Sequence, residues 1–169
     1  DDGADQSYEK SEDAFIRKDY KTAMVEINKV IATAPAYTEA FVLRGRIYLA
    51  IGRAGDAERD FTRANQLEKD NMDSLYYRGI GRTNSKRFPE AVEDFNAVLK
   101  ANPNDIKALY CRAFAYKLSG NSAKALADYG EILSKDKNNP LVIRQIALIQ
   151  YEDGSQKSLE SAAANFELI

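Results

Sequence analysis

Phe41-Val42-Leu43-Arg44-Gly45-Arg46-Ile47-Tyr48, with Ala57-Glu58-Arg59-Asp60-Phe61 after it, is the stretch whose reading decides the fold. An aromatic residue stands four before the glycine and another three after it, and Ala57 stands four before Phe61. These are single-turn intervals, so each set shares one face of a helix. Working outward by 34 residues meets the same set again: Ala23, Ala57, Ala91 and Ala125 are followed at four residues by Ile27, Phe61, Phe95 and Tyr129. Gly45, Gly79 and Ala113 recur at the same interval, with Ser11 in their column of the first period. Phe41, Leu75 and Leu109 precede them by four. A minimal side chain at each of those places lets two helices approach closely. Pro35 and Pro103 close two periods, Pro89 suits the first turn of a helix, and Gly52 and Gly120 are available for left-handed helix ends. A constant period of this size marks an array of stacked helix pairs.

The segment Phe41-x-x-Arg44-Gly45-x-x-Tyr48, then Ala57-x-x-x-Phe61, resembles the tetratricopeptide repeat family, with Phe for the usual Trp and Arg for the usual Leu. The resemblance covers nearly the whole chain. It implies an all-α fold, an α-solenoid wound as a right-handed superhelix, in which the first helix of each pair lines a concave face. We divide the chain, 1–169, into one domain of five repeats: 4–37, 38–71, 72–105, 106–139 and a partial, distorted fifth over 140–169. In that fifth repeat Ala147 keeps the small-residue column, but Ala162 and Phe166 come three residues late. A lengthened turn around Asp153 to Ser158 is therefore expected. The apolar end Phe166-Glu167-Leu168-Ile169 stands where a polar capping helix is expected and points to a longer native protein; the start at Asp1 rather than Met leaves a leader open.

A charged pattern runs through the same period. Arg44, Arg78 and Arg112 each lie 16 residues before Asp60, Asp94 and Asp128, with Lys10 and Glu26 in those columns of the first repeat. Each cation brings its own anion at fixed spacing, which reads as an ion pair tying two helices rather than as a ligand ladder. The recurring alanines, glycines and aromatics read as packing.

Composition narrows the function. The 24 Lys plus Arg nearly balance the 26 Asp plus Glu, leaving a net charge of -2 and no broad field for nucleic acid or an anionic membrane. No apolar run approaches the length of a membrane span, so no membrane insertion is expected. The chain has no histidine and a single cysteine, Cys111, which removes histidine-based triads, disulfide frameworks and multi-cysteine metal sites. Gly79-Ile80-Gly81 lacks the third glycine of a dinucleotide fingerprint and sits in a helical repeat. No cofactor, metal or catalytic residue is expected. The lone cysteine and the absence of Asn-x-Ser/Thr favour a cytoplasmic setting.

What remains is binding of a protein or peptide by residues that vary between repeats. By analogy with the family, the candidate groove comprises Val42, Leu43 and Arg46, then Asp73, Tyr76, Tyr77 and Ile80, then Lys107, Tyr110 and Phe114, with Cys111 beside them. Tyr76 and Tyr110 are 34 apart, as are Ile80 and Phe114, so two apolar stripes are expected. Packing of these aromatics against neighbouring helices stays open as the alternative. The columns that in some family members grip the carboxylate-ended tails of Hsp70 and Hsp90 hold Tyr8, Glu12, Leu43, Asp73 and Tyr77, so no such clamp is expected. Two other readings stay open. One is self-association of the fifth repeat through Phe166, Leu168 and Ile169; the other is a regulatory arm of a larger enzyme.

Overall fold

The computed structural model describes residues 2–169, and these form ten helices with no strand. They run α1 (Asp2–Ile16), α2 (Tyr20–Thr33), α3 (Thr38–Ala50), α4 (Ala54–Leu67), α5 (Met72–Asn84), α6 (Phe88–Ala101), α7 (Ile106–Leu118), α8 (Ser122–Lys135), α9 (Pro140–Asp153) and α10 (Gln156–Glu167). Two compact units divide within α6, one ending at Ala97 and the other beginning at Val98. In the first, α1 packs on α2 and α3 on α4, and each pair joins the next through α2 against α3 and α4 against α5. In the second, α7 packs on α8, α8 on α9 and α9 on α10.

Local chemistry starts and stops these helices at fixed places. Asp19, Asn71, Asp105, Asn121, Asn139 and Ser155 each accept a backbone N–H of the following first turn, satisfying a donor the helix leaves orphaned. Between the helices of the first four pairs the chain enters the left-handed region at Lys18, Gly52, Lys86 and Gly120, with φ of 62, 79, 60 and 81°. The next residue then donates its N–H five residues back, Asp19 to Ala14, Arg53 to Tyr48, Arg87 to Arg82 and Asn121 to Tyr116, at 2.8 Å in every case. That closure is the Schellman motif, and it recurs with the 34-residue period.

The core is built from the recurring columns. Phe61, Phe95 and Tyr129 are fully buried, each worth about 1.5–3 kcal/mol in transfer terms. Phe61 and Phe95 lie over Gly45 and Gly79; a Cβ at either glycine would come within 2.5 or 2.7 Å of the ring. In the first pair Ser11 is buried in the glycine column, and its hydroxyl donates to the Ala23 carbonyl at 2.8 Å.

The ion pairs tie more helices than expected. Arg44 and Arg112 grip Asp60 and Asp128 through two bonds of 2.7–2.8 Å each, and Arg78 grips Asp94 at 2.7 and 3.1 Å. The remaining nitrogen of Arg44 donates to Asn28 at 2.9 Å, and that of Arg78 to Thr62 at 3.3 Å. Asn28 and Thr62 stand 16 residues before their arginines, on the preceding second helix. Each of these two guanidinium forks therefore holds three helices. In the first pair the pattern differs: Glu26 takes its direct bond from Lys29 at 2.6 Å, because Lys10 carries no fork and acts on Glu26 only by its charge.

The fifth pair corrects one expectation. Its turn is not lengthened: α10 begins 34 residues after α8, and only Gly154 and Ser155 separate α9 from α10, against three residues in the first four pairs. The irregularity lies in direction. Ser155 is extended, with ψ 148°, where Asp19, Arg53 and Asn121 have ψ between 64 and 72°. A different ψ at the junction sends α10 off with another face inward, so Ala162 is buried while Ala163, in the aromatic column, is exposed.

Candidate partner-binding surface

In the first unit α3 packs against both α1 and α5. Arg46, on α3, reaches both neighbours at once. Its guanidinium carbon lies 4.8 Å from the ring centroid of Phe15 on α1 and 4.9 Å from that of Tyr77 on α5. A cation over a ring gains roughly 0.5–1 kcal/mol at an exposed site, and the planar guanidinium can face two rings. Tyr77 extends the aromatic run: it stacks on Phe61 at 6.1 Å and meets Tyr76 edge-on at 5.1 Å, and Tyr76 in turn meets Phe95 at 6.2 Å.

The other end of this face is acidic. Tyr8 of α1 stacks on Tyr37 at 5.3 Å, and the Tyr37 hydroxyl donates to Asp5 at 3.3 Å. Burial, and after it the charge of Glu12, pushes the Tyr8 phenol up to about 12. Burial and then Asp5 raise the Tyr37 phenol as well. Glu39 adds to both shifts, so Asp5, Glu12 and Glu39 surround the tyrosine pair.

Of the residues expected to line the groove, Arg46 meets Tyr77 and Tyr77 meets Tyr76; these three and Ile80 are half-buried, and Asp73 is exposed. Val42 and Leu43 are buried at 9 and 1% exposure; both belong to core clusters, so they pack the helices together rather than offering contact area. In the second unit Lys107 is exposed, and Tyr110 and Phe114 are half-buried. Tyr110 leans edge-on against Tyr129 at 5.7 Å, and its oxygen accepts from Gln145 at 3.3 Å. Lys117 donates to the same glutamine at 3.2 Å. The Tyr129 phenol is itself raised, by burial first and Tyr110 second.

Sequence reasoning missed Phe15, Tyr37 and Gln145 on these faces. Tyr8 and Glu12 were legible, since they precede Val42 and Arg46 by one period. Phe15 has no such signal: its column continues as Leu49, Thr83 and Lys117, and Tyr37 lies between helices. Among the described residues no group of three or more His, Cys, Asp or Glu is placed to hold a metal, and no helix is long and apolar enough to cross a membrane.

Comparison with known proteins agrees with this geometry. A sequence profile of the tetratricopeptide repeat matches residues 95–127. Human tetratricopeptide repeat protein 13 is 29% identical over 119 residues, covering 70% of this chain and 14% of that protein. Rat serine/threonine-protein phosphatase 5 is 31% identical over 93 residues, 55% of this chain and 19% of that protein. The chain thus spans less than a fifth of the length of either relative. Among solved structures, MamA from Desulfovibrio magneticus RS-1 superimposes with a TM-score of 0.89 over 99% of this chain and 96% of its own, at 18% identity. That likeness shows the fold, a solenoid of antiparallel helix pairs. Paired helices at a 34-residue period, small residues under aromatic rings and these matches together support a tetratricopeptide repeat protein.

Proposed function

The repeat fold is a protein–protein interaction scaffold, and we propose that in this chain the first-helix face of the first unit, centred on Arg46, holds an extended peptide or a partner helix without chemistry of its own. The observation that carries the reading is Arg46 held between Phe15 and Tyr77, with Tyr8 and Tyr37 beyond it. Rings supply contact area at little entropic cost, and tyrosine tips and the flanking carboxylates supply orientation. Tyr110, Phe114 and Lys107 offer a second, separate set of contacts on α7.

The test is selection of peptides from a displayed random library on the intact chain, followed by titration into Arg46→Ala/Tyr77→Ala. A loss of about 10-fold or more, near 1.4 kcal/mol, with unchanged helicity supports the site. Equal affinity for the variant removes it. We read this face as no carboxylate clamp: Glu12 and Asp73 repel a terminal carboxylate, and Leu43 is buried. Measurable affinity for a peptide ending in Glu-Glu-Val-Asp overturns that part. Self-association is a second reading, favoured by the exposure of Phe166, Leu168 and Ile169; a sedimentation mass that stays monomeric at high concentration removes it.

A further inference from the structure

The first unit contains two grooves in equivalent positions, each between a second helix and the turn that joins the next two helices. The groove between α4 and the α5–α6 turn is bridged by charge and narrowed to about 280 Å³ with a polar lining that includes Glu58, Arg59 and Thr62: Glu58 accepts from Arg82 at 2.9 Å and from Arg87 at 2.7 Å. One period earlier, between α2 and the α3–α4 turn, the same columns hold Met24 for Glu58, Tyr48 for Arg82, Val25 for Arg59 and Ile51 for Ser85. The result is an open apolar groove of about 540 Å³, with Val25 51% and Ile51 44% exposed. The fold does not require those apolar side chains, because the same helix junction is built one period later from polar ones.

The rim of this groove is cationic. Lys21 lines it and interacts by its charge with Asp19. Arg53 lines the other side over the Tyr48 ring at 4.9 Å, and its one carboxylate, Asp56, is shared with Arg59. Asp19, two residues before Lys21, accepts the Thr22 N–H at 3.1 Å, and its charge acts on both Arg17 and Lys21, so it offsets Lys21 only in part. An aliphatic floor under a positive rim complements a helix whose apolar stripe is flanked by Glu or Asp.

We infer that the groove between α2 and the α3–α4 turn docks an acidic amphipathic helix of a partner protein. This surface is distinct from the Arg46 face, so either can fail without the other. The probe is a fluorescent synthetic peptide of about 18 residues with a Leu stripe and Glu flanks, set against its Lys-flanked counterpart. The key variant is Val25→Arg/Ile51→Ser, which copies the residues the fold already carries at Arg59 and Ser85 and therefore retains its helicity. The Glu peptide is expected to bind, to lose about 10-fold or more on that variant and on Lys21→Glu, and to outbind the Lys peptide by a similar factor. Its largest amide shifts in NMR titration should fall on Val25 and Ile51. Absence of saturable binding at ~1 mM peptide, equal binding by Val25→Arg/Ile51→Ser, equal affinity for the Lys peptide, or shifts centred on Arg46 and Tyr77 would each overturn the assignment.

Discussion

The fourth and fifth helix pairs belong to the same compact unit and solve the same packing problem in two ways. In α7–α8, Arg112 grips Asp128 through bonds of 2.8 and 2.7 Å, Tyr129 is buried in the aromatic column, and the Schellman bond at Asn121 aims α8. In α9–α10 the two charge columns hold Ile146 and Ala162, the aromatic column holds the exposed Ala163, and Ser155 aims α10 elsewhere. The fifth pair is held instead by Asn165 donating to Gln150 at 2.8 Å and by Ser155 and Ser158 donating to Asp153 at 2.8 and 2.6 Å. The columns that carry a charged tie in one pair can thus hold apolar residues in the next. The ion pair sets the angle at which two helices meet, and burial of small and large side chains supplies most of the stabilisation.

The sharpest way to break that comparison is to remove one charge. Asp128→Ala leaves a partly buried guanidinium facing alanine and is expected to cost about 3–5 kcal/mol in urea unfolding. The double variant Arg112→Ile/Asp128→Ala copies the residues of the fifth pair and should recover all but roughly 1 kcal/mol of that loss. If the double variant is no better than the single one, the two solutions are not interchangeable.

A smaller effect is expected in the glycine column. Gly45→Ala places a Cβ 2.5 Å from the Phe61 ring, and the ring must move, at a cost of about 1–3 kcal/mol. Ala113 and Ala147 already carry that methyl in the fourth and fifth pairs, so the penalty should be confined to the early repeats. Adding Phe61→Leu to Gly45→Ala should relieve part of the clash, and thermal unfolding of both variants measures the difference.

The turns give effects of opposite sign. Lys18 and Lys86 hold φ near 60° without being glycine, so Lys18→Gly and Lys86→Gly are each expected to stabilise by about 0.5–1 kcal/mol. Gly154→Ala, at φ 69°, should destabilise the fifth pair by about 1 kcal/mol. Denaturant midpoints of the three variants check both signs.

The smallest effects lie in pH. The hydroxyls of Ser158 and then Ser155 lower the Asp153 carboxyl below its ordinary value. A lowered pKa stabilises the fold above the unfolded value, about 3.9, and the contribution is lost as pH falls through the lower folded one. Asp153→Asn should flatten that acid limb for the fifth pair alone. At the alkaline end the Tyr8 phenol keeps its proton to about 12 in the fold. Its contribution is complete below the unfolded value near 10 and is lost as pH rises toward 12. Tyr8→Phe should remove this limb, read by absorbance of the tyrosinates.

Much of the fold was legible because its determinants are local and repeated. Ala57 and Phe61, or Gly79 and Phe95, satisfy a requirement that the next repeat restates, and a requirement stated four times cannot be mistaken for chance. The fifth pair was misread at its turn because the signal used was the displacement of Ala162 and Phe166. The structure has instead a two-residue junction with Ser155 extended, and a displaced Ala162 and Phe166 do not distinguish that from a longer turn. The candidate surface was only partly legible for a related reason. Val42 and Leu43 stand four and three residues before Arg46, on nearly the same side of α3, yet residues of other helices cover them in core clusters, which spacing along α3 does not show. Phe15 and Tyr37 join the surface only by meeting residues of other helices.

From the sequence alone came the period, the pairing of small with bulky residues and of each arginine with its aspartate, and the want of histidine chemistry, since these depend on intervals along one helix or between two neighbours. The tertiary structure decided the direction of α10, the clamping of Arg46 between rings of α1 and α5, and the apolar groove beside α2. Those features arise where side chains from three segments converge, and no spacing within a single segment encodes such a meeting.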